Sequence, residues 1–110
     1  MSNKKKVRED FRNSVFKRDS YRCKWCDCGP FNNQPDVHLD AHHITDRNEM
    51  PNGGYVLENG ITLCKDKCHM LAEEYHISDG TNWMEDMHPD DLYRLIKSSK
   101  ELAIKKSERL

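Results

Sequence analysis

No apolar run in this chain approaches the roughly 20 residues that a membrane-spanning helix needs, and a membrane protein is not expected. The opening "MSNKKKVRED" has no apolar stretch of the kind a secretory signal carries, so a cytoplasmic setting with reduced cysteines is expected. There is no internal repeat and no composition shift that would mark a domain boundary, which leaves residues 1–110 as one domain. Apolar residues are scarce for that length, 35% against 34% charged. A core built from so little is thin, and chains of this kind need a staple. The five cysteines offer one, and their odd number argues against a framework made only of disulfides.

Net charge is also nearly absent, at −1, but its distribution is uneven. Residues 1–26 carry nine Lys/Arg against three acids, and residues 97–110 five against two, whereas residues 27–96 carry four against fourteen. Basic ends can hold a phosphate backbone or merely solubilise a helix. The acidic centre would repel nucleic acid unless bound cations offset it.

The apolar pattern predicts a short α+β chain. Residues 1–7 read as a basic arm. Val7, Phe11 and Val15 recur every four residues, the stripe of a helix that ends near Lys17. "DCGPFNNQPD" reads as loop. "VHLDAHHI" (37–44) alternates like a strand, with Val37, Leu39, Ala41 and His43 on one face and His38, Asp40, His42 and Ile44 on the other. A second strand is expected around Ile61–Cys64, then a helix over "KDKCHMLAEEYH". One last helix should start near Pro89, with Leu92, Leu95, Ile96, Leu102 and Ala103 on its apolar face. Trp83 and Tyr93 are expected in the core, and Trp25 as a lid on the first cysteine pair.

Cys23 and Cys26 form C-x2-C, and Cys64 and Cys68 form C-x3-C, separated by 37 residues. Two short pairs of thiolates suit a tetrahedral structural zinc. The alternatives are free buried thiols, Cys28 in place of Cys26, or His69 in place of Cys68. A thiol redox role for Cys26 and Cys28 is disfavoured, since no βαβ pattern surrounds them. Zinc here would tie the start of the domain to the start of the second helix, and would place His69, next to Cys68, towards the strand that holds His42 and His43. His38, His76 and His88 read as ordinary polar histidines.

The ordered elements C-x2-C, "AHHI", Gly53–Gly54, "ENGITLC" and the terminal Cys-His over residues 8–75 resemble the HNH endonucleases, the ββα-metal nucleases with an embedded zinc site. The resemblance implies a ββα-metal core stapled by zinc, with flanking N- and C-terminal helices. It implies His43 as general base, His42 and His69 as ligands of one catalytic divalent cation, and Asn59 as the residue that braces the loop and orients the base. Relatives often have Asp at the position of His42. Imidazole there favours Mn²⁺, Ni²⁺, Co²⁺ or Zn²⁺ over Mg²⁺.

The chemistry is reasonable without the resemblance. Histidine is suited to taking a proton near neutral pH. A divalent cation can neutralise charge on a phosphoryl oxygen. The products would be 5′-phosphate and 3′-hydroxyl ends. The resemblance also implies DNA bound at the minor groove, with phosphate contacts expected from Lys4, Lys5, Lys6, Arg12, Lys17, Arg18 and Arg47. The chain holds no base-reading motif. A homodimer, a larger phage or bacterial complex, or two encounters would let it cut both strands, and a monomer that nicks is equally consistent. The competing reading is a zinc-stabilised nucleic-acid-binding module that does not cut. Such a module has no need of His42, His43, Asn59 and His69 together.

Overall fold

In a computed structural model that describes residues 3–110, four helices surround a two-stranded antiparallel sheet. Helix α1 spans Lys4–Arg18, strand β1 Leu39–His43, strand β2 Gly60–Cys64, helix α2 Cys68–Ile77, helix α3 Pro89–Leu95 and helix α4 Lys100–Ser107. The chain is therefore α+β. No helix among the described residues is long and apolar enough to cross a membrane.

The two strands pair from Leu39 with Cys64 to His43 with Gly60. This register puts His42 opposite Ile61 and sets Asn59 just past the last pair. Helix α1 packs across the sheet through Phe11, Val15 and Phe16, all buried. Its end is tied to β2 by a polar hub. Buried Asp19 accepts the Thr62 N–H at 2.9 Å, and Arg18 is bound to that carboxylate at 2.8 Å. The same guanidinium donates to the carbonyls of Leu57 and Gly60, both at 2.6 Å. The remaining core gathers Ile44, Met50, Ile61, Leu63, Ala72, Met87, Leu92, Tyr93 and Ala103 around buried Cys23 and Cys68.

Several expectations need correction. Lys4, Lys5 and Lys6 do not form an arm; they are the first turn of α1. Residues 1 and 2 of the expected arm lie outside the described residues. Val7 faces solvent at 41%, and Phe16 takes its place in the apolar stripe. Strand β1 is shorter than expected, because Pro35–Val37 close a 3₁₀ turn and Val37 is exposed. The long loop after β1 is also structured by short 3₁₀ turns at Arg47–Glu49, Pro51–Gly54 and Leu57–Asn59.

The last helix is two helices. Lys97 takes φ 57, a left-handed conformation that ends a helix. Ser99 then caps the next one by accepting the Leu102 N–H at 3.1 Å. Leu95 and Leu102 are consequently exposed, and so is Trp83. Tyr93 is core, as expected.

Candidate metal and active centre

The four sulfurs that converge are those of Cys23, Cys26, Cys64 and Cys68, all within 4.8 Å of one another. Cys26 Sγ and Cys64 Sγ are 3.9 Å apart. A disulfide needs ~2.05 Å, whereas ligands ~2.3 Å from a tetrahedral zinc stand roughly 3.8 Å apart. Two backbone N–H groups already point at sulfur, Cys26 N–H at Cys23 Sγ (3.4 Å) and Cys68 N–H at Cys64 Sγ (3.2 Å). Such donors favour thiolates. Burial, then the hydrogen bond with Cys64, pushes the Cys68 thiol far up, so crowded thiolates need a cation among them. The four cysteines could hold a metal such as zinc. Cys28 stands outside the cluster; its carbonyl accepts the Cys23 N–H at 3.0 Å, and burial and Cys26 push its thiol up to about 12. Trp25, expected as a lid on the first cysteine pair, packs against the core. Its indole N–H donates to the Asp86 carbonyl at 3.2 Å.

Because Cys68 opens α2, the next residue, His69, is aimed back at β1. His69 Nδ1 lies 2.6 Å from Asp40 Oδ2, so His69 is engaged there and not with the sulfurs. Asp40 and His42 share one face of β1, which brings His42 beside His69 with ring centroids 5.1 Å apart. One turn further along α2, Glu73 closes the group. Its oxygens lie 3.5 Å from His69 Nε2 and 4.0 Å from His42 Nδ1. Ligand atoms of His42, His69 and Glu73 all lie within 4.8 Å of one another, and the trio could hold a metal ion. Two imidazoles and a carboxylate suit a transition-metal cation with open positions. Asp40 behind His69 is the partner that fixes such a ligand's ring and tautomer.

The electrostatics divide the imidazoles. Burial, then the nearby His69 and His76, holds His42 well below its ordinary value. Burial opposes a proton on His69 too, but Asp40 and then Glu73 overcome it and raise His69 to about 9. His69 in turn lowers both carboxylates.

His43 points the other way from His42. Its ring stacks on Phe11 with centroids 4.5 Å apart and meets the edge of Tyr55 at 4.8 Å. Its Nε2 is buried with no partner. Burial and then the charge of Arg47 hold it down to about 4, so it is neutral at pH 7. His42, His43, His69 and Glu73 all line one open cleft of about 640 Å³.

Asn59 is completely buried and uses all its hydrogen-bonding capacity. Its Oδ1 accepts the Thr45 N–H (2.9 Å) and the Tyr93 hydroxyl (2.7 Å). Its Nδ2 donates to the carbonyls of Thr45 (3.0 Å) and Gly54 (3.3 Å). Its own carbonyl accepts the Ile44 N–H at 2.9 Å. The two residues that follow His43 are thereby clamped. Gly54 makes this possible: at φ +69, any Cβ there would lie 2.7 Å from Asn59 Nδ2.

The basic residues named from the sequence are scattered. Arg12 and Arg47 line the cleft; Arg12 pairs with Asp36 at 3.1 Å and Arg47 bonds to Tyr55 at 3.2 Å. Lys4, Lys5, Lys6 and Lys17 are exposed on α1, with Lys6 3.4 Å from Asp10. Arg18 is the exception, since its guanidinium is consumed by Asp19, Leu57 and Gly60.

The sequence reading missed Glu73, whose signal is its place four residues after His69 on a helix. The sequence reads His76 as an ordinary polar histidine. That ring stacks on His42 at 5.3 Å and its Nε2–H donates to the His43 carbonyl at 3.0 Å. His88 is a helix cap that accepts the Asp90 N–H, and His38 stacks on Phe31.

Compared with known protein families, curated proteins and solved structures, the chain matches none.

Proposed function

We propose that this chain is a metal-dependent endonuclease of the HNH type that hydrolyses phosphodiester bonds in DNA. The observation that carries the reading is the His42–His69–Glu73 trio on the floor of an open cleft whose wall is His43. A divalent cation bound by that trio would supply charge neutralisation at the phosphoryl and departing oxygens. The remaining work belongs to the protein's own groups.

His43 is neutral at pH 7, so a ring lone pair is ready to take a proton. With Nε2 enclosed by the protein, Nδ1 would be the nitrogen that takes the proton. A water beside it gives that proton to His43 and bonds to phosphorus. The bond from phosphorus to the 3′-oxygen breaks, and the leaving oxygen is protonated by solvent. An incoming anionic phosphate would raise the basicity of His43 just when it is needed. Asn59 keeps His43 in place through Ile44 and Thr45, and His76 does so through the His43 carbonyl. Asp40 orients His69.

The test is supercoiled plasmid incubated with Mg²⁺, Mn²⁺ or Ni²⁺, or without added cation. The parent should nick only with cation. His43→Ala should lose at least about a hundredfold in rate while keeping its zinc. A His43→Ala protein that cuts at the parent rate refutes the assignment. A parent that shifts DNA in a gel but cuts under no cation supports the binding module instead.

A further inference from the structure

The wall of the cleft beyond His43 carries a second arrangement that the cleavage chemistry does not use. Tyr55 follows the Gly-Gly turn, and its ring lies where a side chain on Gly53 would be; a Cβ at that position would sit 2.7 Å from the ring. The ring edge is fixed against Phe11 at 5.6 Å and His43 at 4.8 Å. The phenol oxygen is then met by two guanidiniums. Arg47 Nη1 donates to it at 3.2 Å, and Arg8 from α1 lines the same cleft beside it.

Hydrogen-bond accounting makes this unusual. A phenol oxygen has two acceptor sites and one hydrogen. Arginine only donates, so Arg47 takes an acceptor site and leaves the phenol hydrogen to be given away. Among the described residues it is given to none. An O–H donor flanked by two cations seeks an anionic oxygen. Against burial, Arg47 and then Arg8 also lower the Tyr55 pKa, which makes the hydroxyl a stronger donor. Asp46 faces the same cleft and partly offsets Arg47, but it takes no hydrogen bond from Tyr55.

Arg8 and Tyr55 form a ridge. On one side is the cleft that holds His42 and His43; on the other is a second cleft of about 320 Å³, lined by Asn3, Lys4 and Asn52. We infer that Arg8, Tyr55 and Arg47 form a seat for a second phosphodiester group of the same nucleic-acid strand, next to the one at His43, and so set the path of the backbone across the protein. The inference rests on the nuclease reading for its substrate, but the seat itself needs no divalent cation. It adds Arg8 and Tyr55 to the residues expected to bind DNA; of the three, the sequence had suggested Arg47 alone.

The experiment uses the zinc-loaded chain and a short fluorescent duplex, with anisotropy measured over a range of salt and no added divalent cation. Plasmid nicking with Mn²⁺ runs in parallel. Tyr55→Phe keeps the ring packing and loses only the hydroxyl; it should weaken binding about tenfold. Arg8→Gln should weaken binding and reduce the slope of log affinity against log salt by about one. In nicking, the larger share of each loss should fall on KM. Arg94→Gln removes an exposed charge on α3, paired with Asp91 at 2.9 Å, and should leave the salt slope unchanged.

Tyr55→Phe and Arg8→Gln that bind and cut like a nicking parent overturn the seat alone. An equal effect from Arg94→Gln overturns it too, since only net charge would then matter. A parent that neither binds nor nicks DNA under any cation overturns both the seat and the nuclease reading. Zinc content and circular dichroism of each variant exclude misfolding as the cause.

Discussion

At the scale of single residues, the tension in the site lies between a proton and a cation on His69. Asp40 and Glu73 hold its value at about 9, so without a cation the ring is charged at pH 7 and its Nε2 carries a hydrogen. A cation must displace that proton. The sign follows directly: raising pH towards 9 removes the competitor and strengthens binding, by up to tenfold per pH unit, and lowering pH weakens it. Calorimetry in two buffers of different ionisation enthalpy should find about one proton released per Mn²⁺ bound at pH 7. No release would mean that His69 is neutral beforehand or is not a ligand. Asp40→Asn should lower the proton affinity of His69 and flatten the pH dependence, while also loosening the ring. The histidines of this site were legible in the sequence because "HHI" and "CH" stand out. Glu73 and Tyr55 were not, since one acid in a helix and one tyrosine in a loop look ordinary until the fold brings His69 and Arg8 to them.

At the scale of elements, the decisive piece is the turn from Gly54 to Asn59 that clamps the end of β1. Asn59→Ala would leave the Thr45 N–H and the Tyr93 hydroxyl without their buried acceptor. Each such orphan costs about 1–3 kcal/mol. Gly54→Ala strains φ +69 and drives a Cβ into the Asn59 amide. Both variants should lower the urea midpoint, with a loss of stability of about 2–4 kcal/mol for Asn59→Ala, and both should slow the proposed nicking although neither residue touches the cation trio. An Asn59→Ala protein as stable as the parent would show that the clamp is redundant. The strands were readable as short apolar segments between turn residues, although neither presents a single buried face: β2 is buried on both faces from Gly60 to Leu63, and in β1 the buried Leu39 and His42 lie on opposite faces. The break between α3 and α4 was not. It rests on Lys97 in a left-handed conformation, where glycine or asparagine would have announced it. The start of α1 was misplaced for a related reason: three lysines read as an arm, yet lysine is a good helix former.

At the scale of the whole molecule, the question is what holds so polar a chain together. The cysteine cluster joins residues 23–26 to residues 64–68 across the sheet, and two of its sulfurs belong to the core itself. Apolar burial alone is modest at 35% apolar residues. Structural zinc in small domains supplies apparent free energies of about 10–16 kcal/mol, comparable to the entire stability of an ordinary domain of ~5–15 kcal/mol. Losing a zinc held by these four cysteines would therefore unfold the chain, not merely loosen it. Cys64→Ser, or a chelator strong enough to strip the metal, should abolish the cooperative unfolding transition and the dispersion of amide resonances. Cys28→Ser should keep one zinc per chain and the parent's unfolding curve, because its sulfur lies outside the four. The same coupling would link folding to the proposed chemistry. Cys68 anchors α2, and α2 presents His69 and Glu73 to β1. A chain that folded without zinc yet still nicked DNA would show that the sheet and α1 alone position α2, and that the cysteines serve something else.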